Sequence, residues 1–194
     1  YYAYDFNQDI GGWDVSNVWL MDSMFYYAQD FNQDIGAWNV SSVTNIEKIF
    51  LGAEKFNQPL NSWNVSRVTD MEAMFWDCFV FNQPLNSWNV SKVTDMEYMF
   101  RNATLFNEDI TTWDMGKVKK AEDMFYQAVA FNQDIGAWNV SSVTNFNNFF
   151  NGASSFNRDL SNWNTSSKVY ETSATWYLSG MDGYTAHYPD DWYD

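Results

Sequence analysis

Apolar and polar positions alternate along this chain in columns spaced 25 residues apart. Phe6, Phe31, Phe56, Phe81, Phe106, Phe131 and Phe156 form one column, and Trp13, Trp38, Trp63, Trp88, Trp113, Trp138 and Trp163 form another, with no slip in register. An aliphatic column runs through Ile10, Ile35, Leu60, Leu85, Ile110, Ile135 and Leu160. Val18, Val43, Val68, Val93, Val118 and Val143 make a further one, which meets Lys168 in the seventh copy, where the periodicity decays. In the other half of each unit Met96, Met99, Phe100 and Ala103 fall at i, i+3, i+4 and i+7, one face of a short helix. Thr94 with Glu97, Thr69 with Glu72 and Thr44 with Glu47 have capping-box spacing. The Trp-x-Val step, as in Trp63-Asn64-Val65, has the period of a very short strand. Phe-Asn-Gln-Asp-Ile is the other strand candidate, although Pro59 and Pro84 argue against full pairing there. This pattern predicts a repeat solenoid of seven 25-residue turns, with short parallel strands on one face and short helices or helical turns on the other.

Two polar columns accompany the apolar ones. Asn7, Asn32, Asn57, Asn82, Asn107, Asn132 and Asn157 follow each Phe and read as a structural ladder, each amide serving backbone groups at a corner inside the solenoid. Asp9, Asp34, Asp109, Asp134 and Asp159 form a row broken by Pro59 and Pro84. Solvated charge or local turn capping accounts for it. Calcium is the alternative, since aligned carboxylates repel and offer oxygen ligands. No other cofactor is indicated, and no metal-ligand spacing is present. Cys78 stands in a column of alanines and reads as a small core residue.

Composition narrows the function. Aromatic residues make up 20% of the 194 residues and the formal net charge is -15, so the chain is too apolar for disorder and is expected to avoid nucleic acid and anionic membrane surfaces. No apolar run reaches the length of a membrane span, so membrane insertion is not expected. The single histidine, His187, and the single cysteine form no catalytic constellation, and no enzyme activity is expected. Asn39, Asn64, Asn89, Asn102, Asn139 and Asn164 head Asn-x-Ser/Thr sequons and are candidate glycosylation sites, the bland reading being a polar position that alternates with core residues.

The periodicity divides the chain into a repeat solenoid at 1–169, which begins inside a repeat, and a segment at 170–194 that caps the solenoid or contacts a partner. Trp176, Tyr177, Tyr184, Tyr188, Trp192 and Tyr193 in that segment are the candidate binding residues, and Tyr170 to Leu178 would be a last short helix. The opening turn, with Phe6, Ile10 and Trp13, is expected to be covered by a preceding segment, a neighbouring molecule or another copy.

The units at 31–45, FNQDIGAWNVSSVTN, and at 81–103, FNQPLNSWNVSKVTDMEYMFRNA, resemble the surface-protein repeat of about 25 or 26 residues found in mycoplasma lipoproteins, other bacterial surface proteins and many protist or algal proteins, a group similar to the BspA-like leucine-rich repeat class. The chain departs from that unit at Lys119-Lys120, Ala121, Phe146 and Thr165. The resemblance implies an exported or cell-surface protein with no catalytic residue. Three functions follow as expectations. One is an extracellular or cell-surface binding or adhesion module that uses the solenoid surface. Another is a structural subunit of a filament, coat or larger assembly. The third is a calcium- or carbohydrate-binding lectin-like module. A protein partner or self-association through the solenoid ends is expected, with carbohydrate a further candidate.

Overall fold

The backbone of each unit is built from tight turns. In the computed structural model, which describes residues 2–168, the stretch Met71 to Cys78 shows how. Alternate amides close local turns: Met74 N–H donates to the Met71 carbonyl (3.3 Å), Trp76 to Ala73 (3.3 Å) and Cys78 to Phe75 (3.1 Å). The intervening amides leave the unit: Met71 donates to Asp95 (3.0 Å), Ala73 to Glu97 (2.8 Å), Phe75 to Met99 (2.9 Å) and Asp77 to Arg101 (2.9 Å). Alternate amides thus serve the local turns and the unit 24 residues on, while the Glu72, Met74 and Trp76 carbonyls accept from Lys48, Phe50 and Gly52 of the preceding unit, which pairs a buried backbone without a helix. Two residues per unit take the left-handed conformation that lets the amides alternate, Ala73 (φ 53°) and Asp77 (φ 60°) here. Lys48, Tyr98, Asp123 and Asn148 repeat the first, and Asn102, Gln127, Gly52 and Gly152 the second.

This path corrects the expected fold class. Among the described residues there is no helix and no strand. The extended pairing consists of isolated parallel bridges, Leu20 with Asn45, Asn45 with Asp70, Asp70 with Asp95, Asp95 with Lys120 and Lys120 with Asn145. The Met, Met, Phe and Ala positions share a face because successive i to i+3 turns bring them together, and the left-handed residues between them interrupt any α-helix. The Trp-x-Val step is not a strand either: Trp63 N–H closes a turn on Leu60 (3.0 Å) and Val68 on Val65 (2.9 Å). The expected capping boxes do not form. The Thr69 and Thr94 hydroxyls donate to carbonyls of the preceding unit, at Thr44 (3.3 Å) and Thr69 (3.2 Å). A leucine-rich-repeat solenoid needs a sheet on one side and helices on the other, and neither layer exists here. The binding or adhesion surface, the assembly subunit and lectin readings, and self-association through solenoid ends all rested on that architecture and fall with it. In the opening turn Ile10 is buried and Phe6 half-buried, while Trp13 is 55% exposed, so among the described residues that turn is only partly covered.

The interior is a set of aromatic rows running from unit to unit. Phe75 and Phe81 stack within a unit at 4.0 Å, and each stacks on its counterpart in the next, Phe100 at 5.6 Å and Phe106 at 6.1 Å. Trp88 and Trp113 lie 6.4 Å apart and nearly parallel. In this column each Trp from Trp38 to Trp163 also donates its indole N–H to a carbonyl of the preceding unit, as Trp88 does to Leu60 (2.9 Å), so the polar edge of the ring is satisfied while its face is buried. Gly52 (φ +73°) is required twice over: its conformation is left-handed, and a Cβ there would stand 2.7 Å from the Tyr27 ring.

Candidate functional site

Asn and Asp side chains hold the turns in place. The carboxylates of Asp9, Asp34, Asp109, Asp134 and Asp159 each accept the N–H two residues on, at 2.9–3.3 Å. These oxygens are committed to local turns in separate units, and the structure brings no metal-binding group together along that row. Asn39, Asn64, Asn89, Asn139 and Asn164 do the same for the serine two residues on, at 3.1–3.2 Å. Asp14 and Asp114 take the same place with Ser16 and Gly116, both at 3.0 Å. The Asn-Val-Ser spacing therefore has a turn-forming cause of its own. Asn102 differs from the other sequon residues: it is half-buried, left-handed (φ 57°), and donates its side-chain amide to Asp77 (2.7 Å). In the column beside Phe, Asn7 accepts the Asn32 N–H (2.9 Å), Asn32 that of Asn57 (2.9 Å), Asn57 that of Asn82 (3.0 Å), and so on to Asn157. This row lies at the surface, exposed or half-buried, and not inside the stack.

The third turn-capping column is chemically different. Asn45, Asp70, Asp95 and Asn145 accept the N–H of Glu47, Glu72, Glu97 and Asn147, at 2.7–3.1 Å. Because the same residues form the parallel bridges, their side chains line up one per unit with a glutamate column beside them. The result is an acidic ridge in which one oxygen each of Glu72, Asp95 and Glu97 lies within 4.8 Å of the others. Asp95 is buried and the two glutamates are half-buried, and this set could coordinate a metal ion.

Charges at this spacing are strained. Burial pushes the Asp70 carboxyl above its usual range; the bond from the Glu72 N–H opposes this, and Asp95, Glu47 and Glu72 add to it. Burial likewise raises Glu97, with Asp95 adding and Lys120 opposing. Two lysines sit on the ridge. Lys120 Nζ lies 2.8 Å from Asp95 and 3.5 Å from Glu97, and its bond to Asp95 holds it well above the usual lysine range. Lys48 bridges Glu47 and Glu72, the latter at 3.0 Å. Burial disfavours the Lys48 charge, but bonds to those two carboxylates outweigh it and raise its pKa. A metal ion on Glu72, Asp95 and Glu97 would have to displace Lys120 or share the ridge with it.

A second charged cluster lies in the other half of the unit. The Arg101 guanidinium pairs with buried Asp123 and lies over the Trp76 and Tyr126 rings, 5.1 and 4.0 Å from their centres. Asn148 donates to the other Asp123 oxygen (3.0 Å). Cys78 is fully buried, donates its thiol to the Phe50 carbonyl (3.0 Å), and burial pushes its pKa far up. Trp176, Tyr177, Tyr184, Tyr188, Trp192, Tyr193 and His187 lie outside the described residues, as does the helix expected at Tyr170 to Leu178. Of the ridge carboxylates, the sequence marked only Glu47, Glu72 and Glu97, as capping partners. Their meeting depends on which column bridges to which, and Lys120, the one cation in the bridging column, was the signal that could have drawn attention to it.

No curated protein matches the chain. A family model described as "Mycoplasma protein of unknown function, DUF285" matches residues 1–113 and 80–180. Together with the lack of helices and of a sheet among the described residues, this corrects the resemblance to the BspA-like leucine-rich repeat class. The match spans most of the sequence, and the chain belongs to this Mycoplasma protein family of unknown function.

Proposed function

We propose that this is a non-catalytic protein that works outside the cell and binds calcium on its acidic ridge. The observation that carries the reading is the convergence of Glu72, Asp95 and Glu97 oxygens within 4.8 Å. All three donors are hard carboxylate oxygens, which suit a hard divalent cation. Calcium fits better than magnesium, because carboxylates projecting from stacked turns offer irregular geometry and magnesium demands a near-ideal octahedron. Three carboxylates completed by water, in competition with the Lys120 ammonium, make a weak site. Weak calcium sites, with Kd of about 10⁻⁴–10⁻³ M, are typical of extracellular modules. The absence of a catalytic role is supported by the one described thiol being buried and bonded, and by Asn and Asp oxygens that are committed to turns.

Calorimetric titration and thermal melts with calcium and magnesium test the proposal. Calcium at a few times a millimolar Kd should raise the melting temperature, a linkage effect of roughly 1 kcal/mol. E72Q/E97Q should abolish the shift, and K120M should strengthen it by removing the competing charge. A melt indifferent to calcium in both the native chain and K120M would end the reading. Surface proteolysis of intact cells tests the location: cleavage only after lysis would place the protein inside.

A further inference from the structure

We propose that Arg67, Lys92, Lys117 and Lys119 form a binding strip for a linear polymer of phosphate groups. The chain has ten Lys and Arg residues. Lys48, Lys55, Arg101 and Lys120 are held by carboxylates, and Arg158 donates to the Asn132 carbonyl. Arg67, Lys92, Lys117 and Lys119 take part in no ion pair among the described residues, and all four are exposed. They are not scattered. Arg67, Lys92 and Lys117 occupy one column of three successive units, and Lys119 stands two residues further along the last of them. The intervening column, Val68, Val93 and Val118, is fully buried, so the residues on either side of it face outward together.

Parallel bridging three residues on from Arg67, Lys92 and Lys117, between Asp70, Asp95 and Lys120, fixes adjacent units at about 5 Å, the spacing of paired extended chains. The strip is therefore a line of cations with at least one per step. The flanking positions are uncharged turn residues, Asn64, Ser66, Asn89 and Ser91, with one carboxylate, Asp114, which accepts the Gly116 N–H. On the other flank lies the acidic ridge, where Asp95 pairs with Lys120 and half-buried Asp70 accepts the Glu72 N–H.

A line of unpaired cations is complementary to a linear polyanion, and one of high charge density gains most from their close spacing, while the net charge of -15 repels it elsewhere and confines the attraction to the strip. Linked phosphates supply that density. Single-stranded nucleic acid is a poorer fit, because it binds on exposed aromatic platforms, and Trp63, Trp88 and Trp113, four residues before Arg67, Lys92 and Lys117, are buried.

The test is a titration of the whole chain with long-chain inorganic polyphosphate at several salt concentrations, followed by fluorescence anisotropy. Binding should weaken steeply with salt, and R67Q/K92Q/K117Q/K119Q should lose at least about tenfold in affinity with an unchanged melt. R67Q/K92Q should already weaken binding, and K55Q/R158Q, which removes the same two charges elsewhere on the surface, should bind as the native chain does. The proposal is overturned by three results: no binding at low salt, equal loss in the control variant, or equally tight binding of polyglutamate or single-stranded DNA.

Discussion

An asparagine side-chain oxygen does its work in this chain by accepting a backbone N–H, and two of its columns show two ways of doing so. In the Asn-Val-Ser column the bond is local, two residues on, and shapes a turn. In the Asn7 to Asn157 column it crosses to the next unit: Asn82 accepts the Asn107 N–H at 2.9 Å while its own N–H donates to Asn57 at 3.0 Å. N82A removes one acceptor and leaves one backbone donor to water at an exposed corner. A loss of about 0.5–1.5 kcal/mol is expected in urea unfolding, the net worth of one such bond. N82D keeps an acceptor in place and should lose less. A midpoint for N82A that coincides with the native one would mean the row carries no stability. Residues of this kind were legible in the sequence because an unbroken column needs a shared cause. Whether the cause lay inside or at the surface was not, since an amide satisfies backbone equally well in either place.

At the scale of the repeating element, side-chain destinations were legible and the backbone path was not. Met71, Met74, Phe75 and Cys78 are buried, and their spacing is that of a helix face. Successive three-residue turns give the same spacing, and the feature that distinguishes them, two left-handed residues, is hidden because Ala73 and Asp77 fill positions that glycine fills only at Gly52 and Gly152. The ridge was concealed for the same reason, as a glutamate three residues after a threonine signals a helix start whenever a helix is assumed. Its energetics give a pH prediction. The folded-state pKa of Asp70 is raised, chiefly by burial, so its ionised form is disfavoured in the fold at neutral pH. That cost is relieved as pH falls through the raised folded value, and the relief is complete below the unfolded value, about pH 4. D70N should therefore raise the melting temperature at pH 7 and lose its advantage near pH 4. Asparagine already stands in this column at Asn45 and Asn145, where it accepts the same turn N–H (2.7 and 3.0 Å), so the substitution keeps the turn. A D70N melt below that of the native chain at pH 7 would show that the Asp70 charge helps the fold.

At the scale of the molecule, every ladder joins a unit to its immediate neighbours, with offsets of 24 to 28 residues. Stability in such a stack is a sum of unit and nearest-neighbour terms, so removing one whole period should rejoin the ladders and removing half a period should break them all. Deleting residues 31–55 brings Trp63 onto Trp13, returns its indole N–H to the Ile10 carbonyl, and sets Asn57 on Asn7, each repeating a bond now made by the unit removed. Deleting residues 31–42 shifts the same groups out of register by half a unit. The first variant should melt cooperatively and the second should not fold, as judged by near-ultraviolet circular dichroism and calorimetry. One joint of the first variant carries a defect that can be named in advance. Gly52 receives the Tyr27 ring, and a Cβ there would come within 2.7 Å of it. The deletion puts Asp77 in the place of Gly52, at the same left-handed position but with a side chain. Asp77→Gly should therefore recover stability in the shortened chain, where Tyr27 now lies against it. In the full-length chain the gain should be smaller, because there the change relieves only the left-handed backbone and removes the Asp77 carboxylate that accepts the Asn102 amide (2.7 Å). Equal collapse of both deletions, or a D77G effect of the same size in both backgrounds, would show that the units do not interact through their nearest neighbours alone.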